Sequence, residues 1–338
     1  MQYLVSAAEM RRFDGNTIDR IGIPACVLME RAAMAAAEAA EIHWKETGGP
    51  KTVLVASGMG NNGGDGLAAA RLLAQKGYDV DVWCVGNREK ASEQFTRQLC
   101  ILEHYPVRFV TEPHRTEYSV IVDALFGVGL NREVTGDFQR AIETLQGLAG
   151  WKLSLDLPSG LDSDTGRVLG CAVRADMTVT FGFCKRGLML YPGRDYAGDV
   201  RIADIGISKI SFFGQEPEMY FYDEEPASLM PKRDRGGNKG TFGKVLLAAG
   251  SVNMAGAAVL ASRAAYRAGA GMVKVISAEE NRTILQQAVP EALFGSREDL
   301  ARSLAWADVI AVGPGIGQGP EAACCIRGRA PKITCQPI

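Results

Sequence analysis

Residues 51–77 read KTVLVASGMGNNGGDGLAAARLLAQKG, and the pattern of apolar residues changes within them. KTVLVAS is a short run rich in β-branched residues, the signature of a buried strand. LAAARLLAQKG carries its apolar residues at helical spacing and closes on Gly77, which predicts a helix from near Leu67. A glycine-rich loop joins the two. A strand that feeds a helix through such a loop is the opening unit of an open α/β sheet.

Reading outward, DVDVWCV, PVRFV, SVIVDAL, WKLSLDL and MTVTFGF are further strand candidates, several separated by helical stretches. Near-continuous apolar strands alternating with helices imply a parallel sheet covered on both faces, with right-handed crossovers. Towards the N-terminus, Ser6 and Glu9 form an S-x-x-E capping box that starts a helix. Pro24 opens a second helix through LMERAAMAAAEAAEI, ending near Gly48-Gly49. A new α/β start follows the polar stretch 223–231: KVLLAAG and MVKVIS read as strands around a helix, and ADVIAVG as a strand before GPGIG. The domain boundary is therefore placed to give 1–222 and 223–338.

The 338 residues are 47% hydrophobic and 22% charged, ordinary globular values. A net charge of -2 and a pI near 6.0 provide no positive field for nucleic acid or an anionic membrane. The first residues lack the apolar core of an export signal, and the alanine-rich stretch around Glu38 is too short to span a bilayer. The eight cysteines show no C-x-x-C spacing, so reduced thiols and a cytoplasmic setting are expected, with a small molecule as partner. Met29, Met34 and the neighbouring alanines could line a homo-oligomer face or a plain core.

Gly58, Gly60 and Gly63 satisfy G-x-G-x-x-G, a weak signal alone. A dehydrogenase would place an acid about 20 residues on to hold the ribose, but the next strand ends at Cys84-Val85-Gly86-Asn87 without one. More informative are Asn61, Asn62 and Asp65 among the glycines. Such residues favour turns, yet two amides and a carboxylate after a strand suit ligand recognition or oxygen ligation of a hard cation. Asp123 closes a second strand before Gly127 and Gly129, and Asp156 closes a third before Pro158 and Ser159. Ligands of open α/β sheets bind outside the carboxyl ends of the strands, so these residues converge on one crevice. Asp162 and Asp164 read as caps or turn formers, and His43, His104 and His114 fall outside every motif.

Together, GMGNNGGDGL, VDALFGVGL and LDLPSGLDSDTG resemble the epimerase domain of the NAD(P)H-hydrate repair family, a likeness extending over most of residues 1–215. The resemblance implies a three-layer Rossmann-like fold that epimerises R- and S-NAD(P)HX. It implies hydrate contacts from Asn61, Asn62, Gly63, Gly64 and Asp65, and from the loop Gly127, Val128, Gly129, Leu130, Asn131, Arg132 and Glu133. Asp156 would bind and catalyse, and Asn62, Asp123 and Ser159 would hold potassium. Lys185 is expected to be a solvated loop lysine.

From Pro231 to Gly317 the chain resembles the start of the partner domain, an ADP- or ATP-dependent dehydratase of ribokinase-like fold. NKGTFGKVLLAAGS, MAGAAVLASRAAYRAGAG, VPEALF and ADVIAVGPGIG carry that likeness, which implies hydrate contacts at Ala257 and Gly315. Asn238 stands where the family usually has histidine. QGPEAACCIRGRAPKITCQPI does not continue the pattern, so an incomplete domain without dehydratase activity is expected. The alternative from another class is a non-catalytic binding or scaffold module of the same fold. A redox dehydrogenase and a ribokinase-type kinase are weaker.

Overall fold

Residues 2–222 and 232–319 are described by a computed structural model. The chain divides into two compact units, Met1–Ser228 and Leu229–Ile338. The stretch after Gly317, expected from sequence to depart from the family pattern, lies outside the described residues from Pro320 on, as does the stretch 223–231.

The first unit begins with β1 (Gln2–Val5), α1 (Ala7–Gly15), a π-helical segment (Asn16–Ile21) and α2 (Ala25–Thr47). The capping box forms: Ser6 accepts from Glu9 N, and the Glu9 carboxylate accepts from Ser6 N at 2.7 Å. Then follow β2 (Thr52–Ser57), α3 (Asn61–Gln75), β3 (Asp79–Cys84), α4 (Glu93–Leu102) and β4 (Arg108–Val110). The chain continues through β5 (Glu117–Ala124), α5 (Asp137–Gly147), β6 (Ala149–Leu155), β7 (Met177–Phe181) and β8 (Cys184–Lys185). It closes with α6 (Gly193–Ala197), β9 (Asp199–Ala203) and β10 (Met219–Phe221).

Seven strands form a parallel sheet in the order β4-β3-β2-β5-β6-β7-β9. Alternate residues of each strand face opposite layers. Val53, Val55, Val80 and Val120 point towards α2 and α3, whereas Leu54, Ala56 and Ile121 point towards Ala141, Ile142 and Leu145 of α5. The α2 alanines form a small-residue stripe, with Ala32, Ala33, Ala36, Ala37 and Ala40 all buried. Met29 belongs to that core, whereas Met34 is 57% exposed. A small second sheet, β10-β1-β8, ties the first strand to a segment far along the chain, with Val5 opposite Lys185.

The helix after β2 begins at Asn61 rather than near Leu67, so NNGGDG is helical and not a loop. Close packing explains the glycines: a methyl on Gly63 would overlap Gly58 O, and one on Gly66 would lie 2.5 Å from Ala124 Cβ. Tertiary contact thus overrides the poor helix propensity of glycine.

The second unit has β11 (Lys244–Ala248), α7 (Ala255–Arg267), β12 (Met272–Ile276), α8 (Arg282–Ala288), β13 (Leu293–Gly295), α9 (Leu300–Trp306) and β14 (Val309–Val312). Its strands are parallel, in the order β13-β12-β11-β14. Leu247, Ala258, Val273, Val275 and Leu285 form its core. Among the described residues, no helix is long and apolar enough to cross a membrane.

Candidate active site

Sheet order places the site. The strands after β2 run outward to β4, and the chain then returns to add β5 on the other side of β2. The connections leaving β2 and β5 therefore diverge and open a crevice at the carboxyl ends. Gly58 N donates to Ala124 O at 3.0 Å, and Ser57 Oγ to Gly63 O at 2.7 Å, which holds the start of α3 against the end of β5.

Asp156 follows β6 in the left-handed region, at φ +65°. Aspartate tolerates this conformation better than most residues, though it still stores strain of order 1–3 kcal/mol. Its N–H donates to Val179 O at 2.8 Å. One carboxylate oxygen, Oδ1, pairs with the Lys185 ammonium and accepts from Phe181 N at 3.3 Å. The other, Oδ2, receives no hydrogen bond from the described residues and faces Gly127, where a methyl group would approach to 3.2 Å.

Lys185 is not the solvated lysine expected from sequence: it is 0% exposed. Its ammonium also donates to Phe181 O at 2.8 Å and Thr180 Oγ1 at 3.1 Å, completing three donor contacts. Pairing of β8 with β1 carries Lys185 inward, and the Asp156 carboxylate offsets the cost of burying its charge.

Above this pair lies a cavity of about 160 Å³, lined among others by Asp14, Asn61, Asp65, Gln94, Val128, Asp156 and Lys185. Burial raises the Asp65 carboxyl well above the usual aspartate value, and repulsion from Asp156 and Asp14 adds to the rise against the pull of Lys185. Asp14, on α1, is raised for the same reasons: burial first, then Asp156. Gln94 Oε1 is buried with no hydrogen-bond partner among the described residues.

Beside the cavity is a second polar group. The buried Asp123 carboxylate accepts from Ser154 Oγ and Ser159 N, each at 2.8 Å, and from Ser159 Oγ. Ser159 Oγ in turn accepts from Phe126 N at 2.9 Å, and Asn62 Nδ2 donates to Phe126 O at 2.9 Å. Burial raises the Asp123 carboxyl, while the Ser159 and Ser154 hydrogen bonds oppose the rise. Asn62 Oδ1 is buried without a donor among the described residues. An orphaned amide oxygen beside a carboxylate that meets only neutral donors fits an alkali cation. Among the described residues, no cluster of three or more His, Cys, Asp or Glu side chains could hold a metal.

Asn61, Asp65 and Asp156 thus line the cavity, Asn62, Asp123 and Ser159 are linked by hydrogen bonds through Phe126, and Gly63 and Gly64 pack against Gly58 and Met29. Gly127 lies between Asn62 and Asp156, and Val128 lines the cavity. Leu130 packs with Phe126 and Phe138 of the α5 layer, and Leu130, Arg132 and Glu133 border a separate depression of about 210 Å³. In the second unit Ala257 and Gly315 are neighbours: a methyl on Gly315 would lie 2.6 Å from Ala257 Cβ. Asp14, Gln94 and the buried role of Lys185 were missed. A lysine inside the apolar run FGFCKRGLML was the available signal, whereas nothing local marks Asp14 or Gln94.

Fold and site define a small-molecule enzyme of the open parallel-sheet class, with buried carboxylates at its switch point. Comparison with known proteins narrows this. The family described as YjeF-related protein N-terminus matches residues 25–187, and NAD(P)H-hydrate dehydratase matches 245–329. The NAD(P)H-hydrate epimerase of Oenococcus oeni is 43% identical over 60% of this chain and 96% of its own. The bifunctional NAD(P)H-hydrate repair enzyme Nnr of Moorella thermoacetica is 32% identical over 98% of this chain and 67% of its own. The chain spans about two thirds of the length of such bifunctional relatives. The crystal structure of yeast ynu0, YNL200c, superposes with a TM-score of 0.55 at 25% identity, covering 65% of this chain and 96% of that one. The chain belongs to the NAD(P)H-hydrate repair family.

Proposed function

We propose that the N-terminal domain, residues 1–222, interconverts the R and S forms of hydrated NADH and NADPH. The observation that carries this is Asp156, strained, anchored to Lys185 through Oδ1 and leaving Oδ2 free beside the cavity. In the hydrate, C6 bears a hydroxyl and is bonded to the ring nitrogen. Protonation of that hydroxyl lets the C6–O bond break, its electron pair leaving with water, while the nitrogen lone pair forms a planar iminium. Water then returns to either face of C6 and loses a proton. Asp156 exchanges protons with the C6 oxygen and stabilises the cation.

Potassium would be held by Asn62, Asp123 and Ser159; when bound it supplies positive charge beside a carboxylate that otherwise meets only neutral donors. Residues 223–338 resemble the first part of the dehydratase, where Ala257 and Gly315 would contact the hydrate; ADP or ATP is the nucleotide of that family, and dehydratase activity is not expected of this half. ADP-dependent formation of NADH, read at its absorbance, is the assay for that half. Coenzymes of this kind suit a cytoplasmic protein.

The test supplies R-enriched NADHX with potassium and follows both epimers by chromatography against a no-enzyme control. Approach to the epimer equilibrium should be faster than the spontaneous rate, and Asp156→Ala should slow it by about 10²-fold or more. A folded Asp156→Ala variant that epimerises at the wild-type rate would remove Asp156 from the mechanism.

A further inference from the structure

Epimerisation needs proton transfer at two faces of one ring, yet Asp156 is fastened by Lys185, Phe181 N and its own strained backbone. A carboxylate so held is poorly placed to serve both faces. The same cavity offers another. Asp65 reaches it from α3 rather than from the strand ends, is 9% exposed, and makes no side-chain hydrogen bond to the described residues. An acid buried without a partner beside a cavity has its hydrogen-bonding capacity reserved for what enters.

We propose, resting on the epimerase function above, that Asp65 is a second catalytic residue, serving one face of the hydrated ring while Asp156 serves the other. Its electrostatic surroundings suit the part. Asp14 faces it from α1 and Asp156 from the end of β6, with Lys185 of β8 the opposing cation; Arg11 also lines the cavity. Burial and the two carboxylates favour a neutral, proton-donating Asp65, while Lys185 holds one oxygen of Asp156 and leaves the other turned to Gly127.

In one direction the Asp65 proton passes to the C6 hydroxyl and the C6–O bond breaks, releasing water and leaving the iminium. A second water adds to C6 from the opposite face, gives its proton to Asp156, and returns the electron pair to the ring nitrogen. Asp65 ends ionised and Asp156 protonated. The reverse reaction starts from that state, and exchange with solvent restores the first.

The test uses the full chain in ¹⁸O-labelled water, with each epimer supplied separately near neutral pH. Wild-type inversion should incorporate one solvent oxygen each time. Asp65→Asn should lose inversion in both directions by about 100-fold or more, because each direction needs both residues. It should nevertheless exchange ¹⁸O into a single epimer without inverting it, through Asp156 alone. Asp65→Ser is the second variant if Asp65→Asn does not fold. Wild-type-like inversion by either variant overturns the inference. So does a folded variant that loses exchange together with inversion, since that marks a binding role, and so does wild-type inversion without solvent oxygen. A wild type with no catalysed inversion instead removes the epimerase function on which it rests.

Discussion

At the carboxyl ends of β2, β5 and β6 the first unit buries charge; at those of β11, β12 and β14 the second presents hydroxyls, an amide and bare backbone. In the first, Asp156 meets Lys185, and Asp65 and Asp14 line the same cavity. In the second, Ser277 Oγ donates to Gly250 O at 2.9 Å, and Asn281 Nδ2 donates to Ser251 O at 2.9 Å. Both are parallel sheets whose crossovers point their loops the same way, so topology alone places a ligand at either edge. Chemistry separates them. Buried ionisable groups can move protons and stabilise a developing cation, whereas neutral donors and glycines orient a ligand and allow close approach.

Breaking the buried pair is the severest way to test that contrast. Lys185→Met leaves Asp156 without its cation and should cost about 3–5 kcal/mol in urea unfolding, together with epimerisation. Asn281→Ala in the second unit removes neutral hydrogen bonds and should cost about 1–3 kcal/mol. Equal losses would mean that buried charge is not what distinguishes the two crevices.

Close approach gives the next largest effect. Gly63→Ala has no room beside Gly58 O and should lose about 1–3 kcal/mol or more, while Gly60→Ala meets nothing and should be near neutral in the same melting experiment. Gly315→Ala, at φ +64° and 2.6 Å from Ala257 Cβ, should resemble Gly63→Ala. A tolerated Gly63→Ala would return the motif to the status of an ordinary flexible turn.

Subtler is the pH dependence of Asp65. Its carboxyl is raised on folding, chiefly by burial and then by Asp156 and Asp14, so the folded protein prefers it neutral. The stability this lends is complete below the unfolded value, about pH 3.9, and is lost as pH rises through the raised folded value. Asp65→Asn avoids that loss. Its Tm should therefore exceed wild type by a margin that widens as pH rises above about 4, even as activity falls. A margin constant with pH would show that the carboxyl is not strained by ionisation.

The smallest effect concerns potassium. Replacing sodium chloride by potassium chloride should raise Tm by about 2–4 °C, and Asn62→Ala should abolish the difference. An undiminished rise in that variant would place the ion elsewhere.

Much of the fold was legible because its signals are local. KTVLVAS, SVIVDAL and WKLSLDL carry the buried-strand pattern, and all three coincide with sheet strands. The short β1, β8 and β10 were not visible, since two to four residues hold no period and their pairing joins Val5 to Lys185 across the chain. The start of α3 was misplaced because glycine reads as loop until the neighbouring chain that demands it is in view.

By itself, the sequence determined the alternation of strands and helices and placed Asn62, Asp123, Asp156 and Ser159 at strand ends, since adjacency to a strand end is a property of neighbouring residues. Tertiary structure decided that Lys185 is buried against Asp156, that Asp65 lies without a partner near Asp14, and that the Gly127 loop sends Val128 to the cavity and Leu130 away from it. Burial and Coulomb interaction depend on groups brought together from distant parts of the chain, and only folding sets those distances.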